Sequence, residues 1–138
     1  QNIAPLYPNT PEFKQNIFNT ESWISLMNRE CIKKNIKFAI LMHPYEMQLN
    51  KYGTEKWKSK GIKVPENALE RKTHQIMKAF SKRDGFYFMD IVPDLRSHKG
   101  SSNNLYIDGD YGHYSIVGNR IIAGYLSDKM TGMFKKAQ

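Results

Sequence analysis

Asp110 stands three residues ahead of His113, in a stretch flanked by Gly109 and Gly112 and followed by Tyr114 and Ser115. A carboxylate so placed can accept the imidazole Nδ1 proton, which fixes the tautomer and leaves Nε2 free to take a proton from a hydroxyl nucleophile. That is a general base with its orienting group, expected to face a cleft where the strands end. Asp108, five residues before the histidine, is a second carboxylate within reach, and it also suits the turn ahead of Gly109. Asp–His pairs of this spacing also arise as plain surface contacts, so the surroundings must decide.

The other histidines are less telling. His43 follows an apolar run directly, at the edge where open α/β sheets bind ligands, and with Tyr45 it is a candidate substrate contact; a strand-ending His-Pro turn is the plain alternative. His74 falls within a helical pattern and is expected at the surface or partly buried, and His98 sits between Arg96 and Ser97 on one side and Lys99 on the other, as a solvated loop residue would. No two histidines have metal-ligand spacing, so neither a metal nor another cofactor is expected. Trp57 among its lysines could stack on a sugar ring or an acidic polymer, or simply pack on the domain. The methionines read as core fillers.

The elements that must position these residues follow from pattern. Thr10, Pro11 and Glu12 form a helix start, since threonine can cap, proline suits the first turn and the acid favours the positive end of the dipole. Phe13, Ile17, Thr20, Ile24, Met27 and Cys31 recur at steps of four and three and predict one buried face, with a possible break near Asn19. Residues 36–42 and 86–92 are short, almost wholly apolar runs, stopped by His43-Pro44 and by Pro93, which reads as two adjacent parallel strands covered on both faces. A short helix is expected over 46–52. A longer one from Pro65 to Arg83 has Leu69, Thr73, Ile76 and Phe80 on its face and Asp84-Gly85 as its stop. Gly100 to Asn104 reads as a loop, Leu105 to Ile107 as extended, and Ser115 as the cap of a final helix.

The order helix, strand, helix, strand, helix implies a layered α/β domain with a mainly parallel sheet. Two strands are few for such a sheet, which normally needs three or more for independent stability. The expectation is therefore that the 138 residues are the C-terminal portion of one domain, with the rest of the sheet in an N-terminal half or a second chain.

Composition fits one globular domain: 40% hydrophobic and 25% charged residues over 138 positions exclude a disordered chain. No apolar run approaches the roughly 20 residues of a membrane-spanning helix, so no membrane span is expected. Cys31 is alone, which removes an intrachain disulfide and a cysteine-based zinc site. It leaves the compartment open, including an extracytoplasmic one reached through a signal removed upstream. The net charge of +8 is spread, densest at Lys51, Lys56, Lys58, Lys60 and Lys63. No motif for reading nucleic acid accompanies it, and a solvated basic face is the expected role.

The block from Asp110 through His113, Ser115 and Gly118 to the apolar residues Ile121–Leu126 resembles the last motif of the SGNH/GDSL hydrolases: Asp-x-x-His, then Ser or Thr, a glycine five residues past the histidine, and an apolar helix. The resemblance covers 108–123 as motif and Phe38 to the C terminus as architecture. It implies a three-layer α/β/α fold and assigns Asp110, by its spacing, as the orienter of His113. It implies a serine esterase or O-acyltransferase, and the Tyr114-Ser115 and Gly118-Asn119 pairs look like the branch acting on acylated carbohydrate. The family's nucleophile serine, in a Gly-Asp-Ser block, and its oxyanion donors are not found here. Two explanations stay open: the missing half supplies them, or the chain is an inactive module of this fold that binds an acidic polysaccharide or nucleic acid through its basic surface.

Overall fold

The computed structural model describes residues 10–98 and 104–135. The protein is mostly helical with a small parallel sheet, broadly an α/β arrangement. The first helix, α1, spans Pro11–Lys33 without a break at Asn19, and Thr10 Oγ1 accepts the Phe13 N–H at 3.1 Å as its cap. Its inward face differs from the periodic reading. Phe13, Ile24 and Asn28 are buried and Cys31 is half-buried, while Thr20 and Met27 face out. The reason is polar: Asn28 Nδ2 donates to the Asp84 carbonyl at 2.8 Å and Ser25 Oγ to the Asp84 carboxylate at 2.5 Å, which turns that side of the helix toward its neighbour.

The two apolar runs form β1, Ala39–Met42, and β2, Tyr87–Asp90, paired in parallel with Ala39 opposite Tyr87 and Met42 opposite Asp90. Both strands are shorter than their apolar runs. Ile91 and Val92 leave the sheet because Pro93, in the first turn of α5 (Val92–Ser97), favours a helix start. Strand residues alternate between two apolar clusters. Ile40, Met42 and Phe88 pack with Ile24, Met77, Phe80 and Phe86 on the α1 side, whereas Leu41 joins Leu49, Ile91, Leu95 and Val117 on the other. Among the described residues each strand has one unpaired edge.

Between the strands, the expected helix over 46–52 is two: α2, Glu46–Leu49, and α3, Lys51–Ser59. Asn50 is extended and its Oδ1 accepts the Gly53 N–H at 2.9 Å, a cap that restarts the helix. The expected helix from Pro65 to Arg83 is likewise divided, into a 3-10 turn over Glu66–Glu70 and α4, Lys72–Asp84. Arg71 separates them in left-handed conformation at φ 53°, where its guanidinium bonds both Asp90 carboxylate oxygens at 3.0 and 2.7 Å. The break rotates the buried face to Thr73, His74, Met77, Phe80 and Ser81, leaving Leu69 exposed. Gly85 at φ 76° ends α4. The last helix, α6, spans Ile116–Lys135, and Ser115 Oγ accepts the Gly118 N–H at 3.2 Å as its cap. Residues 99–103, most of the expected loop, lie outside the described residues, with Ser101 and Ser102 among them.

Candidate functional site

Residues 105–115 form a small closed loop ahead of α6. Tyr106 and Tyr114 make an antiparallel bridge, the Ile107 N–H donates to the His113 carbonyl at 3.0 Å, and the Ser115 N–H to the Leu105 carbonyl at 2.9 Å. At its tip the Asp110 N–H donates to Ile107, and Gly109 takes φ 81°, which glycine adopts without steric cost. Two long-range bonds seat the loop at the C-terminal end of β1. Tyr106 Oη donates to the Pro44 carbonyl at 2.8 Å, and the Glu46 N–H donates to the Tyr111 carbonyl at 2.9 Å. Gly118 is needed for this seating, since a Cβ there would lie 2.3 Å from the Leu105 carbonyl oxygen.

Within the loop Asp110 Oδ2 lies 2.6 Å from His113 Nδ1. Asp110 Oδ1 meanwhile accepts the Gly112 and His113 backbone N–H groups at 2.8 and 3.0 Å. The backbone donor at Gly112 first, then the His113 ring, hold the Asp110 carboxyl below the usual carboxylate range. It is therefore an acceptor throughout the neutral range, and the Nδ1 proton is directed to it, which leaves Nε2 as the basic nitrogen. The His113 side chain is 80% exposed and that of Asp110 39%. The pair stands on an open face, and the cavity beside the loop, about 560 Å³, is walled by Asp108, Tyr114 and the start of α6 rather than by the pair itself. Asp108 is not an orienter: its side chain is 93% exposed and lies 3.8 and 3.9 Å from the Lys56 and Lys60 ammonium groups.

The structure brings His43 and Tyr45 to the same loop. The exposed His43 ring meets Tyr114 edge-on at 5.3 Å between centroids, and Tyr45 meets Tyr111 at 5.6 Å. Tyr45 also lies against Gly112. On their other side both residues wall a cavity of about 240 Å³, together with Gln48 of α2 and with Thr73 and His74 of α4. Here the expectation for His74 is corrected. It is 3% exposed, because the break at Arg71 turns it inward, and both of its ring nitrogens lack a hydrogen-bond partner. Burial lowers its pKa to about 4, against the opposing pull of Asp90, so it is neutral at pH 7. Leaving a buried donor or acceptor unpaired costs about 1–3 kcal/mol.

A support layer beneath the loop was not legible in the sequence. The Glu46 carboxylate is fully buried, bound by Lys56 Nζ at 3.0 Å to each oxygen and by Trp57 Nε1 at 2.6 Å. Trp57, buried on α3, meets the Tyr111 ring edge-on at 5.3 Å. Trp57 and Lys56 thus belong to the loop's foundation, and Lys58 pairs with Glu55. The spacing of Glu46 to Lys56 and Trp57 gives no local signal for this arrangement.

The described serine hydroxyls with assigned bonds engage elsewhere. Ser22, Ser59, Ser81 and Ser97 donate to carbonyls in their own helices, Ser25 to Asp84 and Ser115 to the Asn104 carbonyl. No group of three or more His, Cys, Asp or Glu among the described residues is placed to hold a metal ion. No described helix is long and apolar enough to cross a membrane. No family model, no curated protein and no solved structure matches this chain.

Proposed function

We propose that this chain carries the base half of an SGNH-type serine esterase or O-acyltransferase, the C-terminal portion of a three-layer α/β/α domain. The observation that supports the reading most is the 2.6 Å contact between Asp110 Oδ2 and His113 Nδ1, in a loop that leaves the ring exposed. In this mechanism Nε2 takes the proton of a serine hydroxyl as that oxygen attacks the acyl carbon, and Asp110 stabilises the imidazolium. His113 then returns the proton to the departing alcohol. Water or an acceptor hydroxyl, activated by the same nitrogen, releases the acyl group.

The serine comes from outside the described residues, on a segment or second chain that pairs with a free edge of the β1–β2 sheet. Both the unpaired edges and the open setting of His113 favour that arrangement. The substrate class is an acylated carbohydrate or another small ester, with His43 and Tyr45 as substrate contacts beside the loop. The test is turnover of a small activated ester by the full-length protein or its assembly, compared with His113→Ala. Loss of turnover with retained fold supports the reading. Unchanged turnover removes it, and leaves the chain as a binding module of the same fold.

A further inference from the structure

Arg96, near the end of α5, carries a charge that no acidic side chain of the sequence neutralises. Its Nε donates to the Leu49 carbonyl at 2.6 Å and its Nη2 to the Gln48 carbonyl at 3.3 Å, the last carbonyls of α2. Neither partner is an anion. The remaining N–H groups of the guanidinium, those of Nη1 among them, have no partner among the described residues. The Asp90 carboxylate, whose field reaches Arg96, is held on both oxygens by Arg71. Residues 1–9, 99–103 and 136–138, which lie outside the described ones, contain neither Asp nor Glu, so no further acidic side chain exists to pair with it. Burial first and Arg71 second pull the Arg96 pKa down, yet a guanidinium stays charged at pH 7.

The same arginine, exposed to solvent, lines a cavity of about 500 Å³ where α2, the 3-10 turn and α5 meet. That volume lies within the roughly 300–1,000 Å³ of small-molecule sites. Leu49, Leu95 and Leu105 are buried and give the cavity an apolar floor, while the exposed Leu69 stands on its rim with Arg96 and Asn50. The Asn50 Oδ1 is taken by the Gly53 N–H, so the amide has its NH2 left to offer. A rim of donors calls for an acceptor, and a floor of leucines for an apolar body. An ionised carboxylate accepts only, and its two oxygens match the fork of a guanidinium. A bare inorganic anion would leave the leucines without contacts, and a neutral alcohol would leave the charge unpaired.

We infer that this cavity binds a small organic carboxylate with an aliphatic body, its charged group on the Arg96 guanidinium and its chain against Leu49, Leu69, Leu95 and Leu105. Asp110 and His113 take no part in the site, so it holds independently of the acyl-transfer reading.

The test is a titration of the full chain with hexanoate, with hexanol and with inorganic phosphate, at pH 7 and low ionic strength, following the leucine methyl signals by ¹H–¹³C correlation. The expected result is a saturable shift of the Leu95 and Leu105 methyls with hexanoate, binding of hexanol weaker by about tenfold or more, and no methyl shift with phosphate. Arg96→Gln, whose amide keeps a donor for the α2 carbonyls and removes the charge, is expected to weaken hexanoate binding by about tenfold or more and to leave hexanol unaffected. Methyl signals that stay fixed with hexanoate, hexanol bound as tightly as hexanoate, a phosphate response equal to that of hexanoate, or unchanged hexanoate affinity in a folded Arg96→Gln each overturn the proposal. Should that variant not fold, the comparison of hexanoate with hexanol on the unsubstituted protein decides by itself, since the two share a chain and differ in the charged group.

Discussion

His113 and His74 are separated by the His43–Tyr45 segment, which touches the surroundings of both, and they are treated in opposite ways. His113 is 80% exposed and held by a carboxylate that is itself fixed by two backbone donors. His74 is 3% exposed and has no hydrogen-bond partner at either nitrogen. A ring meant to carry a proton needs a partner that stabilises its charged form and access for the group that gives the proton. A ring kept neutral by burial with neither nitrogen paired is instead a standing cost to the fold. The contrast shows how partner and burial alone set two residues of one type apart.

The sharpest way to break the comparison is to remove the exposed ring. In the full-length protein His113→Ala is expected to lower ester turnover by about 10⁴- to 10⁶-fold, with unchanged circular dichroism. Asp110→Asn, which takes away the carboxylate that orients the tautomer, is expected to cost about 10³- to 10⁴-fold. If both variants turn over the ester at the parent rate, His113 is a surface residue and the contrast with His74 has no functional meaning.

A smaller effect is expected from the foundation under the loop. Lys56→Met leaves the buried Glu46 carboxylate with Trp57 as its one remaining side-chain donor among the described residues, and should reduce unfolding free energy in urea by about 3 kcal/mol. The same variant should loosen the Tyr111 contact and broaden the amide signals of residues 110–113. A stable variant with an unaltered loop would show that the loop's position does not depend on that ion pair.

The last prediction concerns pH. The His74 pKa lies at about 4 in the fold, against an ordinary value of about 6.5 for an unfolded chain. Between these values the unfolded state binds more protons, so stability falls as pH falls through that window, by up to about 3 kcal/mol from this residue. Above about pH 6.5 the penalty is absent. His74→Phe should flatten the dependence of the urea midpoint on pH between about 4 and 6.5. An unaltered pH dependence in that variant would show that burial does not hold the His74 ring neutral.

Much of this protein is local, and that part could be read from the sequence. The Thr10 and Ser115 caps, the strand cores at 39–42 and 87–90, and the Asp110–His113 contact are set by residues close together in the chain or by an apolar run, although the expected covering of the strands on both faces is incomplete, with β1 half-buried and Tyr87 of β2 exposed. Tertiary contacts decided the rest. The inward face of α1 was fixed by Asn28 and Ser25 reaching Asp84, against the apolar period that would have buried Met27. The break at Arg71 came from its pairing with Asp90, 19 residues away, and that break buried His74. The loop was seated by Tyr106 on Pro44, 62 residues apart, and by Glu46 on Tyr111. A capping hydrogen bond costs little chain entropy and is dictated by neighbours, whereas a polar contact between distant segments exists only once packing has brought them together. The sequence by itself therefore determined which residues could form a base and its orienter, and only the tertiary structure decided what stood beside them.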